Sequence, residues 1–215
     1  MKHALLLALL ALPLPAAAWD QTFGVFLDDR RIGTISHEGS GDAQRMETNL
    51  DNTPLGLAEG VFEGTSRPAR TEAGAIVRQY LGIGKGRTIS VLFDGDRAID
   101  TVVDPVSEAT DLSDPTVVKP GVIDPVQTIG RILGATDCPE PFSYYDGRRT
   151  IDVATISREE ADGTISCRLS YQVVQGPGHL SPFRFRSLDV RLYLGGGRLA
   201  SATISAGPFT LRLQR

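Results

Sequence analysis

Ile165-Ser-Cys-Arg-Leu-Ser-Tyr-Gln-Val173 alternates without a break. Ile165, Cys167, Leu169, Tyr171 and Val173 fall on one side, and Ser166, Arg168, Ser170 and Gln172 on the other. A side-chain period of two belongs to a β-strand with one face on a core and the other in water. Cys167 therefore points inward. Phe209, Leu211 and Leu213 repeat the pattern at the C-terminus, opposed by Thr210, Arg212 and Gln214. Phe183 and Phe185 alternate with Arg184 and Arg186, but the apolar phase then moves to Leu188, Val190, Leu192 and Leu194. A one-residue change of phase within one long strand predicts a bulge near Arg186–Ser187.

Outward from this strand, one phrase recurs: an apolar run, a short Asp/Gly turn, an arginine, then another apolar run. It joins Phe23–Leu27 to Ile32–Ser36 through Asp28-Asp29 and Arg30, and Ile89–Phe93 to Ile99–Val103 through Asp94-Gly95 and Arg97. It joins Phe142–Tyr145 to Ile151–Ile156 through Asp146-Gly147 and Arg148, and Val190–Leu194 to Leu199–Ile204 through Gly195-Gly-Gly197 and Arg198. Asp-Gly and Gly-Gly supply the positive φ that tight hairpin turns need. The turn arginines read as solvated hairpin shoulders. The pattern predicts a mainly β protein, an antiparallel meander of hairpins forming a curved sheet, half-barrel or barrel, with one short α-helix.

That helix is expected after Asp124. Asp124 suits the N-cap and Pro125 the first helical position. Val126, Ile129, Ile132 and Leu133 follow at helical spacing, and Gly134 ends the run. So short an amphipathic helix needs a sheet to lie against. Asp104 to Asp124, with Pro105, Pro115 and Pro120, reads as a long wrapping connection. The segment 51–72 reads equally as a weak strand, a short helix around Leu55–Val61, or a loop.

Residues 1–18, MKHALLLALLALPLPAAA, have the form of an export signal: a basic start at Lys2 and His3, an apolar run, and an Ala16-Ala17-Ala18 cleavage site. The apolar run is too short to span a bilayer, and no later stretch is longer. A periplasmic protein starting near Trp19 is expected, with 19–215 as a single β domain. Losing Lys2 with the leader takes the formal charge from −4 to −5. A mildly acidic chain with scattered arginines has no footprint for nucleic acid. The chain has two cysteines, Cys138 and Cys167. In an oxidising compartment such a pair is most simply one structural disulfide, and two unpaired core thiols are the plainer alternative.

No catalytic, cofactor or metal signature is found. His37-Glu38 lacks the second histidine of a zinc-protease helix, and no G-x-S-x-G elbow occurs. Gly82-Ile-Gly-Lys-Gly-Arg-Thr88 fails phosphate-loop spacing because Lys85 is followed by glycine, so it reads as a hairpin loop. His37 and His179 are expected to be exposed loop residues, and no acidic run has calcium-loop spacing.

Several motifs together resemble an uncharacterised family of exported Gram-negative proteins, a domain of unknown function. They are the helix start in Gly121-Val-Ile-Asp-Pro-Val-Gln127, Cys138 ahead of Tyr144-Tyr-Asp-Gly-Arg-Arg149, and Cys167 opening a strand that leads to Gly176. Phe23-Gly-Val-Phe-Leu-Asp-Asp-Arg-Arg-Ile-Gly33 is similar to that family's opening hairpin, with Asp-Asp in place of Asp-Gly. The resemblance implies an exported antiparallel β protein, akin by fold analogy to half-barrel lipoprotein carriers, with no catalytic residues.

The function expected first is a non-catalytic periplasmic binding or carrier domain for an apolar small molecule. Its pocket would be lined by Leu169, Tyr171 and Phe183. A cell-envelope interaction or assembly protein, pairing its β-edges with a partner protein, comes second. An enzyme built from scattered Asp, Arg and His comes third.

Overall fold

In the computed structural model the hairpin phrase has built one continuous sheet. The structure describes residues 18–51, 53, 59–179 and 183–215. The expected export signal, up to residue 17, lies outside the described residues. β1 (Trp19–Leu27), β2 (Arg30–Ser40), β3 (Ala43–Leu50), β4 (Gly60–Arg70), β5 (Ile76–Gly84), β6 (Arg87–Asp94) and β7 (Arg97–Asp104) form an antiparallel meander. After a connection of short 3₁₀ turns come β8 (Val122–Ile123), α1 (Pro125–Leu133) and β9 (Phe142–Tyr145). The second meander runs through β10 (Thr150–Ala161), β11 (Thr164–Gln175), β12 (Ser187–Gly195), β13 (Arg198–Ala206) and β14 (Phe209–Gln214). β1 pairs with β14, which joins the two meanders into a 14-stranded sheet with β7 and β8 at its ends. The ends approach one another: the Gly121 and Val122 N–H groups both donate to the Asp96 carbonyl at 3.0 Å. The sheet is thus nearly closed into a barrel, antiparallel except where β8 meets β9.

The turns follow from their residues. Gly196 and Gly197 between β12 and β13 both have positive φ, as a type I′ turn demands. Lys85-Gly86 does the same between β5 and β6, so the glycine-rich stretch is a hairpin loop. Gly33 sits where β2 shifts register against β1, and a Cβ there would lie 2.0 Å from the Asn49 carbonyl oxygen. Of the readings left open for 51–72, the strand holds over 60–70 as β4, while residues 54–58, which make up most of the alternative short helix around Leu55–Val61, lie outside the described residues. The bulge expected near Arg186–Ser187 is corrected. Arg184 adopts φ 51°, and His179 and Phe185 bond reciprocally as an isolated bridge. The phenylalanines therefore belong to a separate excursion, and β12 starts at Ser187.

Two apolar clusters fill the interior. One joins Phe23, Ile35, Ile151, Leu169, Leu192 and Leu213. The other joins Tyr80, Val91, Phe93, Val103, Val122 and Tyr145. Helix α1 lies between them: Leu133 belongs to the first, Val126 to the second, and Ile129 packs against both. The helix starts as its sequence dictates, with Asp124 Oδ1 accepting from the Gln127 N–H at 2.9 Å. Asp124 Oδ2 accepts from Ser66 Oγ at 2.6 Å, which ties the buried cap to β4. The Cys138–Cys167 disulfide is formed, with a Cα–Cα distance of 5.5 Å. It fastens the chain after α1 to the inner face of β11.

Candidate functional site

The inner face changes character toward one end of the barrel. Along β1 the inward positions run Val25, Phe23, Gln21, Trp19, and along β2 they run Ile35, His37, Gly39. On β3, Met46 gives way to Gln44, which pairs opposite Gly39. Apolar packing stops where these polar residues begin, and a cleft opens there. Its inner part, about 430 Å³, is lined by Trp19, Gln21, His37, Gln44 and, from α1 and its cap, Gln127, Gly130, Arg131 and Gly134. An outer part of about 540 Å³ shares Trp19 and Gln44 and extends over Gly39, Arg45 and Thr65.

Trp19, the chain's one tryptophan, is 37% exposed and stacks on His37 with centroids 4.6 Å apart. A Cβ on residue 39 would collide with its indole at 2.2 Å, so the ring lies flat across Gly39. His37 is not an exposed loop residue: it is 3% exposed, on β2, with Nε2 3.4 Å from Gln44 Oε1. Burial pushes its pKa below the ordinary value and keeps it neutral. Gly130 lets the helix close over this ring, since a Cβ there would stand 2.6 Å from His37 Cε1. The Gln21 side-chain oxygen is buried without a hydrogen-bond partner. At the outer rim, Arg45 is held by Glu38, Glu47 and Glu63, which raise its pKa further.

A second, smaller cavity of about 120 Å³ lies within the barrel wall. Phe62, Tyr80, Gly82, Gly84, Ile89 and Pro125 line it, together with Arg87, Tyr144 and Asp146. Beside it runs a chain of polar contacts. Arg149 Nη1 lies 2.9 Å from His179 Nδ1, His179 Nε2 lies 2.6 Å from Tyr171 Oη, and Tyr171 Oη lies 2.6 Å from Tyr144 Oη. A guanidinium only donates, so Nδ1 must accept, and the imidazole is neutral with its proton on Nε2. Burial and the Arg149 charge push the His179 pKa down to about 3. Asp146 orients Arg149: Oδ2 is 3.0 Å from Nε, while Oδ1 accepts the Arg148 and Arg149 backbone N–H groups. His179 is thus a bonded, mostly buried residue, a second correction to the expected exposed histidines.

The residues expected to line a pocket are dispersed. Leu169 is fully buried in the core. Tyr171 belongs to the polar chain, and Phe183 is 42% exposed outside, stacked on Phe185 and edge-on to Phe209. Arg148 is no solvated shoulder either, since its guanidinium pairs with Glu108 at 3.2 Å. Trp19, Gln21, Gln44 and Gln127, and inside the wall Tyr80 and Tyr144, carry the cavities instead. The period-two rule applied to β1 and β2 would have placed Trp19, Gln21 and His37 on one inner face. Among the described residues no cluster of His, Cys, Asp or Glu has the geometry of a metal site, and no helix is long and apolar enough to cross a membrane. No family model matches the chain, and neither the curated proteins nor the solved structures searched contain a match.

Proposed function

We propose that the protein is a non-catalytic, exported binding or carrier domain whose ligand occupies the Trp19–His37 cleft. The observation that carries this reading is the cleft itself, two confluent cavities joined across one exposed indole. Their size is that of a small-molecule site, with an apolar wall and a few converging polar groups. The amides of Gln21, Gln44 and Gln127 both donate and accept, and the Gln21 oxygen is still without a partner. His37 is neutral, and the rim carries both signs, Asp20 and Glu38 beside Arg67 and Arg131, with Arg45 already held by three carboxylates. The ligand is therefore a neutral small molecule with one apolar face for Trp19 and hydroxyl or amide groups for the glutamines. Export is in keeping with the Cys138–Cys167 disulfide. It also accords with the resemblance of the cysteine and hairpin motifs to an exported family.

β-Edge pairing with an envelope partner is disfavoured, because the segment after β7, with its 3₁₀ turns, packs back along that strand. The test is native mass spectrometry of protein isolated gently from its source, followed by Trp19 fluorescence on returning the released compound. A neutral adduct that shifts Trp19 emission, and that a Trp19→Ala variant no longer retains, is expected. A bare polypeptide mass from every preparation, with partner proteins captured instead, would overturn the reading.

A further inference from the structure

Trp19 rests one face of its indole on the sheet and leaves the other open. Gly39 and His37, which support it, alternate along β2 and so lie on the same side of the sheet. The ring is still 37% exposed, so its opposite face is turned to the cleft, and both parts of the cleft meet along it. Three side-chain amides line the inner part, and each comes from a different element: Gln21 from β1, Gln44 from β3 and Gln127 from α1. Gln44 is engaged by His37, whereas the Gln21 and Gln127 side chains make no hydrogen bond to any described residue. An amide donates at one atom and accepts at the other, and a hydroxyl, which does both, matches it whichever way it is turned.

Amides placed on three elements surround what lies on Trp19 rather than meeting one edge of it. A simple alcohol has a single polar end and would leave buried amide groups unmatched, which is costly. A pyranose ring lays C–H groups on the indole and carries hydroxyls around its perimeter. The rim suits the same chemistry. Arg131 lies over the Phe142 ring at 5.4 Å, and neither it nor Arg67 forms an ion pair with a described residue. Asp20 and Glu38 stand on the same rim. A rim of both signs repels part of any charged ligand, whereas a hydroxyl accepts from the arginines and donates to the carboxylates. The inner part of about 430 Å³ and the outer part of about 540 Å³ are each of small-molecule size, which leaves room for a second ring beyond the one on Trp19.

We infer that the cleft binds a neutral saccharide of at least two pyranose units, one ring stacked by its C–H face on the Trp19 indole with its hydroxyls on Gln21 and Gln127. This rests on the cleft being the ligand site and names the class of its ligand. Trp19 is the chain's one tryptophan, so its emission reports this site alone. The test titrates the full chain with cellobiose and with diacetylchitobiose, whose equatorial substituents leave C–H groups on both ring faces. Cyclohexanol, a ring of similar size with a single hydroxyl, is the control. A saturable shift of Trp19 emission at millimolar concentration is expected with at least one of the saccharides, and affinity at least about tenfold weaker in Gln21→Ala and Gln127→Ala. Emission that neither saccharide moves, or that cyclohexanol moves at equal concentration, overturns the inference. So does undiminished affinity in both glutamine variants. The cleft reading is then judged separately by the native mass of the isolated protein: a neutral adduct lost in Trp19→Ala keeps it, and a bare polypeptide removes it. The wild-type titrations decide the matter even if a glutamine variant fails to fold.

Discussion

Acidification should unfold this protein through His179 before its carboxylates take part. The imidazole is enclosed between Arg149 and Tyr171, and its pKa is pushed down to about 3 from the ordinary 6.5. A base with a lowered folded pKa is protonated first in the unfolded chain. The stability it contributes is complete above pH 6.5 and is lost as pH falls toward 3. Between pH 7 and 4.5 only the unfolded state takes up the proton, at a limiting slope of about 1.4 kcal/mol per pH unit, for a total loss of up to about 2.5 kcal/mol. His37, also lowered by burial, adds a term of the same sign, whereas Asp124, raised by burial, acts in the opposite sense. Both terms persist in a His179→Gln variant, whose amide still accepts from Arg149 and donates to Tyr171, so they cancel in the comparison. Urea unfolding with the disulfide intact, followed by circular dichroism from pH 7 to 4.5, should show wild type losing stability more steeply than His179→Gln. Parallel pH profiles, or a His179 ring that titrates near 6.5 by NMR in the folded protein, would refute the enclosure and the proton placement built on it.

Other substitutions test the framework. Replacing Cys138 and Cys167 by serine opens a link across a sequence separation of 29 and should cost about 3.5 kcal/mol in the chain-entropy model, read as a lower urea midpoint. Gly33→Ala puts a Cβ at 2.0 Å from the Asn49 oxygen at a φ of 150°, and should cost on the order of 3 kcal/mol in the same assay. Asp124→Ala removes the α1 cap and leaves Ser66 Oγ buried without its acceptor; a loss of about 2 kcal/mol is expected, with no change in the β signal of circular dichroism.

The parts legible from sequence are those fixed by local chemistry. Asp-Gly and Gly-Gly turns demand positive φ wherever they occur, so the β6–β7 and β12–β13 hairpins could be read directly. The α1 start at Asp124-Pro125 is equally local. The inward direction of Cys167 followed from strict alternation, and its partner from there being no other cysteine to pair with. What failed was non-local. The phase change at Arg186 looks the same in sequence whether a strand bulges or ends, and only the bridge between His179 and Phe185 decides. His37 and His179 look like surface residues until Trp19 covers one and Arg149 and Tyr171 enclose the other. Leu169, Tyr171 and Phe183 were grouped by alternation and proximity in sequence, yet a barrel this large sends them to the core, a polar chain and the outer surface. The cleft was within reach, because Phe23 yielding to Gln21 and Ile35 to His37 marks where the core stops.

Helix α1 is the wall that the two cavities have in common. Pro125, its first residue, lines the cavity in the barrel wall, while Gln127, Gly130 and Arg131 line the cleft. A nine-residue helix is only about 13 Å long, so a displacement at one end reaches the other unless the backbone bends. Its first end is held by Ser66 through Asp124, and its second rests on His37 through Gly130. Loosening the first hold by Ser66→Ala should therefore alter the Trp19–His37 stack beyond the second. Trp19 emission and its quenching by iodide should change, alongside faster hydrogen exchange at the Gln127 amide. Faster exchange at Gln127 with Trp19 undisturbed would mean that α1 frays locally and that the two cavities do not sense one another.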